Sequence, residues 1–287
     1  MKKLVVVLLV FVFQMSEASS FTSFEEAQKV ALASNKMLII DFTASWCGPC
    51  KKMDMDTWGD EKVKLLLENF VFVKIDIDSN KELAFKYNVK SIPNVFILDS
   101  NGIEIKSFLG YMGANKFIDA IDSYAVSTEY FSKELINQYK FPCYINSIKT
   151  ALKYYDFSLY LDDEIKSDFL SVSDLYLAQA KKYLKKNDPN FAIKKQKIEL
   201  ANLCYYAYKF NFEKLDKELS DIKTEELQQE NLDFFWFLRY IVSKKLNKED
   251  LDLVDSNFKS FENYDYLFSK AALVLSKSEL NNQNPDK

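Results

Sequence analysis

The stretch LIIDFTASWCGPCKKM, residues 38–53, joins a buried strand to two closely spaced cysteines. Its first part is an almost continuous apolar run, which favours a central β-strand covered on both faces. Cys47 and Cys50 follow, separated by Gly48 and Pro49, and proline fits the first turn of a helix because no backbone donor is needed there. The stretch therefore predicts a strand, a tight turn and a helix that starts at the cysteine pair.

Helical and strand patterns alternate on both sides of this stretch, in the order α-β-α-β-α-β-β-α. Thr22 and Glu25 have capping-box spacing before the first helix, and Asp60 is a suitable N-cap for a later one. Asn101-Gly102 separates the last two strand patterns and predicts a two-residue hairpin. Such alternation indicates a central mixed sheet with helices on its faces and one antiparallel hairpin.

The chain after Gly113 has no glycine and has helical patterning almost throughout. Asp188-Pro189 has the composition of a helix start, and the segment from Thr224 to Lys245 predicts one long helix. We therefore predict three parts after residue 18: an α/β domain over residues 19–126, an all-α C-terminal domain over residues 127–280, and a disordered tail over residues 281–287.

Composition excludes several classes of protein. The 287-residue chain contains no histidine, so histidine-based general-base catalysis and histidine-containing zinc sites are excluded. Nucleic-acid binding usually needs a positively charged surface. The formal net charge of this chain is −4, so no nucleic-acid partner is predicted. Arg239 is the only arginine, which disfavours a site built on bidentate guanidinium contacts.

Residues 1–18 have the pattern of a secretory signal peptide. Lys2 and Lys3 precede a short apolar run, and Ser16 and Ala18 are small residues at the positions that signal peptidase reads. The run is shorter than the ~20 residues that span a bilayer, so cleavage after Ala18 is predicted and an uncleaved anchor is the alternative. The expected location is periplasmic or secreted, with membrane contact only through this export signal.

Two cysteines at this spacing have three candidate roles: a structural bridge, half of a metal site, or a redox pair. A bridge over so short a loop would constrain the unfolded chain very little. A zinc site needs two further ligands, and the remaining cysteines, Cys143 and Cys204, are far apart in a chain without histidine. A helix start favours the thiolate that attacks disulfides, so the redox role is preferred, with no metal and no cofactor.

The segment WCGPCK, residues 46–51, resembles the active-site signature of the thioredoxin superfamily, and the resemblance covers residues 21–124. Asp41 matches the buried acid of that family, Lys74 matches a lysine near that acid, and Pro93 in SIPNVFIL matches its cis proline. The segment between Cys50 and the next predicted strand is longer than in small thioredoxins. In this respect the chain is similar to the C-terminal domain of bacterial transmembrane disulfide reductases. The resemblance implies an α/β thioredoxin fold, here followed by an all-α domain without a counterpart in thioredoxin itself.

Roles for individual residues follow from this resemblance. Cys47 would attack a substrate disulfide and Cys50 would resolve the mixed disulfide, while Asp41 accepts the proton of Cys50. Lys74 would tune Asp41 through its charge, because an opposite charge nearby stabilises a carboxylate. The other expected site residues form the substrate groove: Trp46, Gly48, Pro49, Ile92, Pro93 and Gly110. Disulfide-bearing protein substrates and a membrane or periplasmic electron donor are the implied partners.

The Gly-Pro centre and Ile92 resemble reducing thioredoxins, so a protein disulfide reductase is the preferred function, with the helical domain for partner or substrate docking. Two alternatives stay open: a binding or chaperone-like protein that uses the fold as a scaffold, and a disulfide oxidase or isomerase. Cys204 lies on an apolar helical face and is expected to be a buried thiol, with a disulfide to Cys143 as the alternative. The aromatic run of residues 234–237 is expected in the core.

Overall fold

A computed structural model describes residues 23–283. The signal peptide predicted at the N-terminus, with cleavage after Ala18, lies outside the described residues, as do the last four residues of the predicted tail. Within the described part of the chain, no helix is both long enough and apolar enough to cross a membrane.

Four strands form one mixed sheet within the described residues. β1 (Met37–Thr43) pairs in parallel with β2 (Phe70–Asp76) and antiparallel with β3 (Asn94–Leu98), and β3 pairs antiparallel with the edge strand β4 (Glu104–Leu109). β1 is an inner strand and is buried along almost its whole length, as its apolar sequence predicts. The predicted mixed sheet with one hairpin is confirmed.

The turn between β3 and β4 is longer than the predicted two-residue hairpin. Residues 99–103 link the strands, and the N–H of Asp99 donates to the carbonyl of Ile103 at 2.9 Å. The Asp99 carboxylate in turn accepts the backbone N–H groups of Asn101 and Ile103. This side chain therefore organises the turn from within.

The sheet is flanked, in the described chain, by five helices: α1 (Phe24–Ser34), α2 (Gly48–Met53), α3 (Glu61–Leu67), α4 (Lys81–Lys86) and α5 (Ala114–Ile121). Asp60 caps α3 as predicted, because its side chain accepts the backbone N–H groups of Lys62 and Val63. The N-cap position of α1 is Ser23 rather than Thr22. The predicted order of helices and strands is confirmed.

The rest of the described chain is mostly helical, which confirms the all-α part of the predicted fold class. Its helices are α6 (Ser132–Lys140), α7 (Tyr144–Ser158), α8 (Asp163–Tyr183), α9 (Phe191–Tyr208), α10 (Phe212–Ser220), α11 (Leu232–Lys245), α12 (Leu251–Lys259) and α13 (Tyr264–Gln283). α13 continues past residue 281, where the sequence predicts a disordered tail.

Two predicted helix starts in this domain are wrong. α9 begins at Phe191 rather than at Pro189, because Asp188 accepts the N–H of Asn190 in a turn that precedes the helix. Residues 224–231 form two 3₁₀ turns, so the helix predicted from Thr224 begins only at Leu232.

The two faces of β1 pack into different apolar clusters. Leu38, Ile40 and Phe42 contact a cluster that includes Ala27 and Ala31 of α1. Met37 and Ile39 belong to the other cluster, which continues without interruption into the buried side chains of α7, α8 and α11. Because side chains alternate along a strand, Asp41 projects from the same face as Met37 and Ile39.

Candidate active site

The cysteine pair lies where β1 leads into α2. Cys47 and Cys50 form a disulfide with an S–S distance of 2.06 Å, and both residues are buried. Cys47 is the N-cap residue of α2, and its Sγ accepts the backbone N–H of Cys50 at 3.2 Å. In the reduced pair, this donor and the positive end of the helix would stabilise a thiolate at Cys47.

Three of the predicted groove residues form an exposed rim beside the buried pair. The Trp46 side chain is 65% exposed, and its Nε1 donates to Asp78 Oδ2 at 2.9 Å. Gly48 and Pro49 are also exposed, and a Cβ placed on Gly48 would meet no heavy atom within 4 Å. The rim therefore leaves room for another chain to approach the disulfide.

The segment before β3 supplies further predicted groove residues. Ile92 packs against the small cluster of Ala44, Cys47 and Cys50. The Ile92–Pro93 peptide bond is cis, as the resemblance implies. The Pro93 carbonyl accepts the N–H of Gly110 at 2.8 Å, and Gly110 has a φ of +90°, a conformation that favours glycine. The structure thus brings Ile92 to the cysteines and Gly110 to Pro93.

Asp41 is a buried carboxylic acid on the central strand. It is 2% exposed, and its Oδ1 has no hydrogen-bond partner among the described residues. Its Oδ2 accepts the indole N–H of Trp58 at 2.9 Å. Burial raises the pKa of Asp41 to about 6, because desolvation outweighs the positive charge of Lys74 and the Trp58 hydrogen bond. A carboxyl group with this pKa can accept and release a proton near neutral pH.

Lys74 is shared between two carboxylates. It lies opposite Asp41 in the pairing of β1 with β2, and its Nζ is 3.8 Å from Asp41 Oδ2. The same Nζ pairs more closely with Asp54, which follows α2. The negative charge of Asp54 raises the pKa of Asp41, so it opposes Lys74. The predicted charge partner of Asp41 is present, and Asp54 competes for it.

Asp54 and Trp58, which sequence reasoning missed, are the two ends of a single π-helical turn between α2 and α3. Asp54 lies four residues after Cys50, and this helical spacing is a signal that could have indicated it. No comparable signal indicates Trp58, because an ordinary α-helical turn would direct its side chain elsewhere.

We expect Asp54→Asn to lower the pKa of Asp41 below its value of about 6. The substitution removes a negative charge that favours the protonated acid, and it leaves Lys74 without its closer partner. Both changes stabilise the ionised carboxylate, and the expected decrease is roughly half to one pH unit in a ¹³C NMR titration of Asp41. Asp56→Asn, in the same turn, is the matched control. Equal titrations in the two variants would contradict the prediction.

The two remaining cysteines do not pair. Cys204 is buried in α9, and burial raises the pKa of its thiol to about 12, while Cys143 is half-buried before α7. Both are free thiols, so the alternative of a disulfide between them is wrong. In the aromatic run of α11, Phe234, Phe235 and Phe237 are buried and Trp236 is half-buried, so this run belongs to the core as expected.

Comparison with known proteins concerns the first domain. A family model described as a thioredoxin-like domain matches residues 24–125. Thioredoxin of Mycoplasma genitalium is 33% identical over 91 residues, which are 32% of this chain and 85% of that protein. The thiol:disulfide interchange protein DsbD of Campylobacter jejuni is 31% identical over 104 residues, which are 35% of this chain and 18% of that protein.

A solved structure is similar over the same fraction of the chain. The oxidised C-terminal domain of DsbD from Neisseria meningitidis is 28% identical, with 36% of this chain and 97% of that chain covered and a TM-score of 0.33. The family model ends before α6, so it describes the sheet and the cysteine pair and leaves the helical domain without an assignment.

Proposed function

This chain belongs to the thioredoxin superfamily, and from that premise we propose that it reduces disulfides in protein substrates through Cys47 and Cys50. Membership of this oxidoreductase family supports thiol–disulfide exchange in general. The single observation that carries the proposal is the Cys47–Cys50 disulfide at the start of α2, at the end of the strand that holds the buried Asp41.

The proposed reaction starts from the reduced pair. The Cys47 thiolate attacks one sulfur of a substrate disulfide, so a Cys47–substrate bond forms, and the other substrate sulfur leaves with the electron pair and takes up a proton. The Asp41 carboxylate then takes the proton of the Cys50 thiol, and the Cys50 sulfur attacks Cys47 Sγ. The mixed disulfide breaks and the second substrate thiolate leaves. The substrate gains two electrons, and the pair ends as the Cys47–Cys50 disulfide.

A reductase must be reduced again after each turnover, so a membrane or periplasmic thiol donor is the proposed second partner. The likeness to a protein named for thiol:disulfide interchange supports a donor of that chemistry. The proposed location is the periplasm or the cell exterior, which the export pattern of residues 1–18 supports. An exported protein that still begins at Met1 would contradict cleavage after Ala18.

The reduction potential of the Cys47–Cys50 pair tests the proposed direction. Equilibration in glutathione buffers, followed by alkylation and peptide mapping, is expected to give a value near the potential of thioredoxin, about −270 mV. A value near about −120 mV, typical of a strong periplasmic oxidant, would instead make the protein a disulfide oxidase. Peptide mapping keeps the free thiols of Cys143 and Cys204 out of the measurement.

Insulin reduction separates catalysis from a scaffold role. The wild-type protein is expected to accelerate insulin precipitation by dithiothreitol, and a rate equal to that of dithiothreitol alone would favour a binding protein. The helical domain is proposed to dock a substrate or the electron donor. Cross-linking of a trapped complex tests this docking role, and cross-links confined to residues before α6 would contradict it.

A further inference from the structure

Trp58 is the closest hydrogen-bond donor to the buried acid of the redox site. Its Nε1 donates to Asp41 Oδ2 at 2.9 Å, whereas Lys74 Nζ is 3.8 Å from the same oxygen and pairs more closely with Asp54. Asp41 Oδ1 has no hydrogen-bond partner among the described residues. The two oxygens of this carboxylate therefore differ, because one is held and the other is available to accept a proton.

Packing against two aromatic rings fixes the direction of the Trp58 side chain. Its ring centre lies 4.7 Å from that of Phe72 on β2 and 4.8 Å from that of Phe117 on α5, the latter edge to face. Aromatic pairs of this kind favour particular ring orientations in addition to burying area. Neither phenylalanine offers a hydrogen-bond acceptor, so the indole N–H is directed to Asp41.

The π-helical turn that carries Trp58 is closely packed at Thr57 and at Gly59. Thr57 in this turn is buried, and its Oγ1 donates to the carbonyl of Met112 at 2.5 Å. Gly59 follows the turn, and a Cβ at that position would lie only 2.7 Å from the carbonyl oxygen of Met55. Single π-helical turns frequently occur at functional sites.

From this geometry we propose that Trp58 is a positioning residue for proton transfer: it holds Asp41 by Oδ2 and leaves Oδ1 to take the Cys50 proton. The inference rests on the proposed function, because this transfer belongs to the resolution of the mixed disulfide. The proton moves from Cys50 Sγ to Asp41 Oδ1, and the Cys50 sulfur then attacks Cys47 Sγ. The N–H of Trp58 stays on nitrogen throughout and stabilises the ionised acceptor before the step.

Two charged groups face Asp41 from the neighbouring elements. Lys74 on β2 favours the ionised carboxylate, and Asp54 in the π-helical turn opposes it. On β3 the residue opposite Asp41 is Val95, which carries no charge. With these groups unchanged, loss of the Trp58 N–H destabilises the carboxylate, so the pKa of Asp41 rises above its value of about 6.

Trp58→Phe keeps an aromatic ring against Phe72 and Phe117 and removes the N–H donor. We expect Asp41 to titrate about one pH unit higher in this variant, the size of one hydrogen bond to a charged group. Relative to wild type, insulin reduction is expected to fall roughly fivefold at pH 6 and to change little at pH 8, where Asp41 is ionised in both proteins. A purely structural role of Trp58 would lower both activities equally.

Trp236→Phe makes the same substitution in the helical domain, and it is expected to keep the wild-type pH dependence. The ¹³C titration of Asp41 needs no turnover, so it tests the positioning role even if the wild-type protein reduces no insulin. A wild-type protein that reduces no insulin would contradict the proposed function and leave the positioning role of Trp58 to be decided by the titration. An unchanged Asp41 titration in folded Trp58→Phe overturns the inference.

A measurement on the wild-type protein decides the case in which Trp58→Phe does not fold. The indole ¹H–¹⁵N resonance of Trp58 is expected to titrate together with the Asp41 carboxyl, because its hydrogen-bond acceptor changes charge. The resonance of Trp236 serves as the reference. A Trp58 resonance that stays constant while Asp41 titrates overturns the inference.

Discussion

A Cys50→Ala variant is expected to accumulate as mixed disulfides with its protein substrates, and a Cys47→Ser variant is expected to form none. Cys47 Sγ lies at the start of α2 with a backbone donor 3.2 Å away, which favours Cys47 as the attacking thiolate of the proposed reaction. Without Cys50, no neighbouring thiol resolves the adduct. Loss of Cys47 removes the nucleophile and is expected to lower insulin reduction by roughly 10³-fold or more.

Non-reducing electrophoresis of alkylated extracts measures the adducts as bands that disappear on reduction. Cys143 is free and half-buried, so it is a competing source of mixed disulfides. Cys143→Ser in the Cys50→Ala background is therefore the matched control and is expected to keep the bands. If the bands persist when Cys47 is replaced by serine in the Cys50→Ala background, the prediction is contradicted. If they disappear when Cys143 is replaced instead, Cys143 forms the mixed disulfides.

Elements with local signals are predictable from the sequence. β1 is a continuous apolar run, and it is buried because it is an inner strand of the sheet. Asp60 caps α3 through contacts with residues two and three positions away. In both cases the residues that decide the conformation lie within or next to the element, so patterning and capping preferences suffice.

The α-helix predicted from Thr224 does not form over residues 224–231, because a side chain from α9 hydrogen-bonds with the backbone of this segment. Gln196 on α9 accepts the N–H of Gln228 and donates its side-chain amide to the carbonyl of Glu226. These contacts hold residues 224–231 in two 3₁₀ turns although their composition suits an α-helix. Tertiary contacts of this kind outweigh the small differences in intrinsic helix propensity.

The candidate site contains residues that local sequence signals identify and residues that only tertiary contacts identify. Cys47, Cys50 and Asp41 are found from one motif, because a single strand and helix start carry all three. Trp58 is not found, since its contact with Asp41 depends on a π-helical turn that no sequence period indicates. Asp54 acts on Asp41 through its own negative charge and through its pairing with Lys74 on β2, and both contacts depend on the tertiary structure. Residues that act where two elements meet require the structure.

The largest effect on stability is expected at Asp99, in the turn between β3 and β4. Its carboxylate is fully buried, and Oδ1 accepts the two backbone N–H groups of the same turn. Oδ2 accepts the hydroxyls of Tyr154 on α7 and Tyr176 on α8, at 2.9 and 2.5 Å. Tyr176 also accepts the side-chain amide of Asn101 at 3.1 Å. One carboxylate thereby joins the sheet to the helical domain.

Asp99→Asn is expected to lower the free energy of unfolding by about 4 kcal/mol. A carboxylate accepts at both oxygens, whereas an amide offers one acceptor and one N–H₂ group. The new N–H₂ group therefore faces donors, and at least two of the buried donors lose their partner at roughly 1–3 kcal/mol each. Urea unfolding followed by far-ultraviolet circular dichroism measures the change.

Glu104→Gln makes the same chemical change at an exposed position on β4, and it is expected to alter the free energy of unfolding by less than ~0.5 kcal/mol. Tyr154→Phe and Tyr176→Phe each remove one donor to Asp99 and are expected to cost about 1–2 kcal/mol. If Asp99→Asn lowers the free energy of unfolding by no more than Tyr154→Phe or Tyr176→Phe does, the prediction is contradicted. We expect this order because Asp99 accepts four hydrogen bonds, whereas each tyrosine hydroxyl donates only one of them.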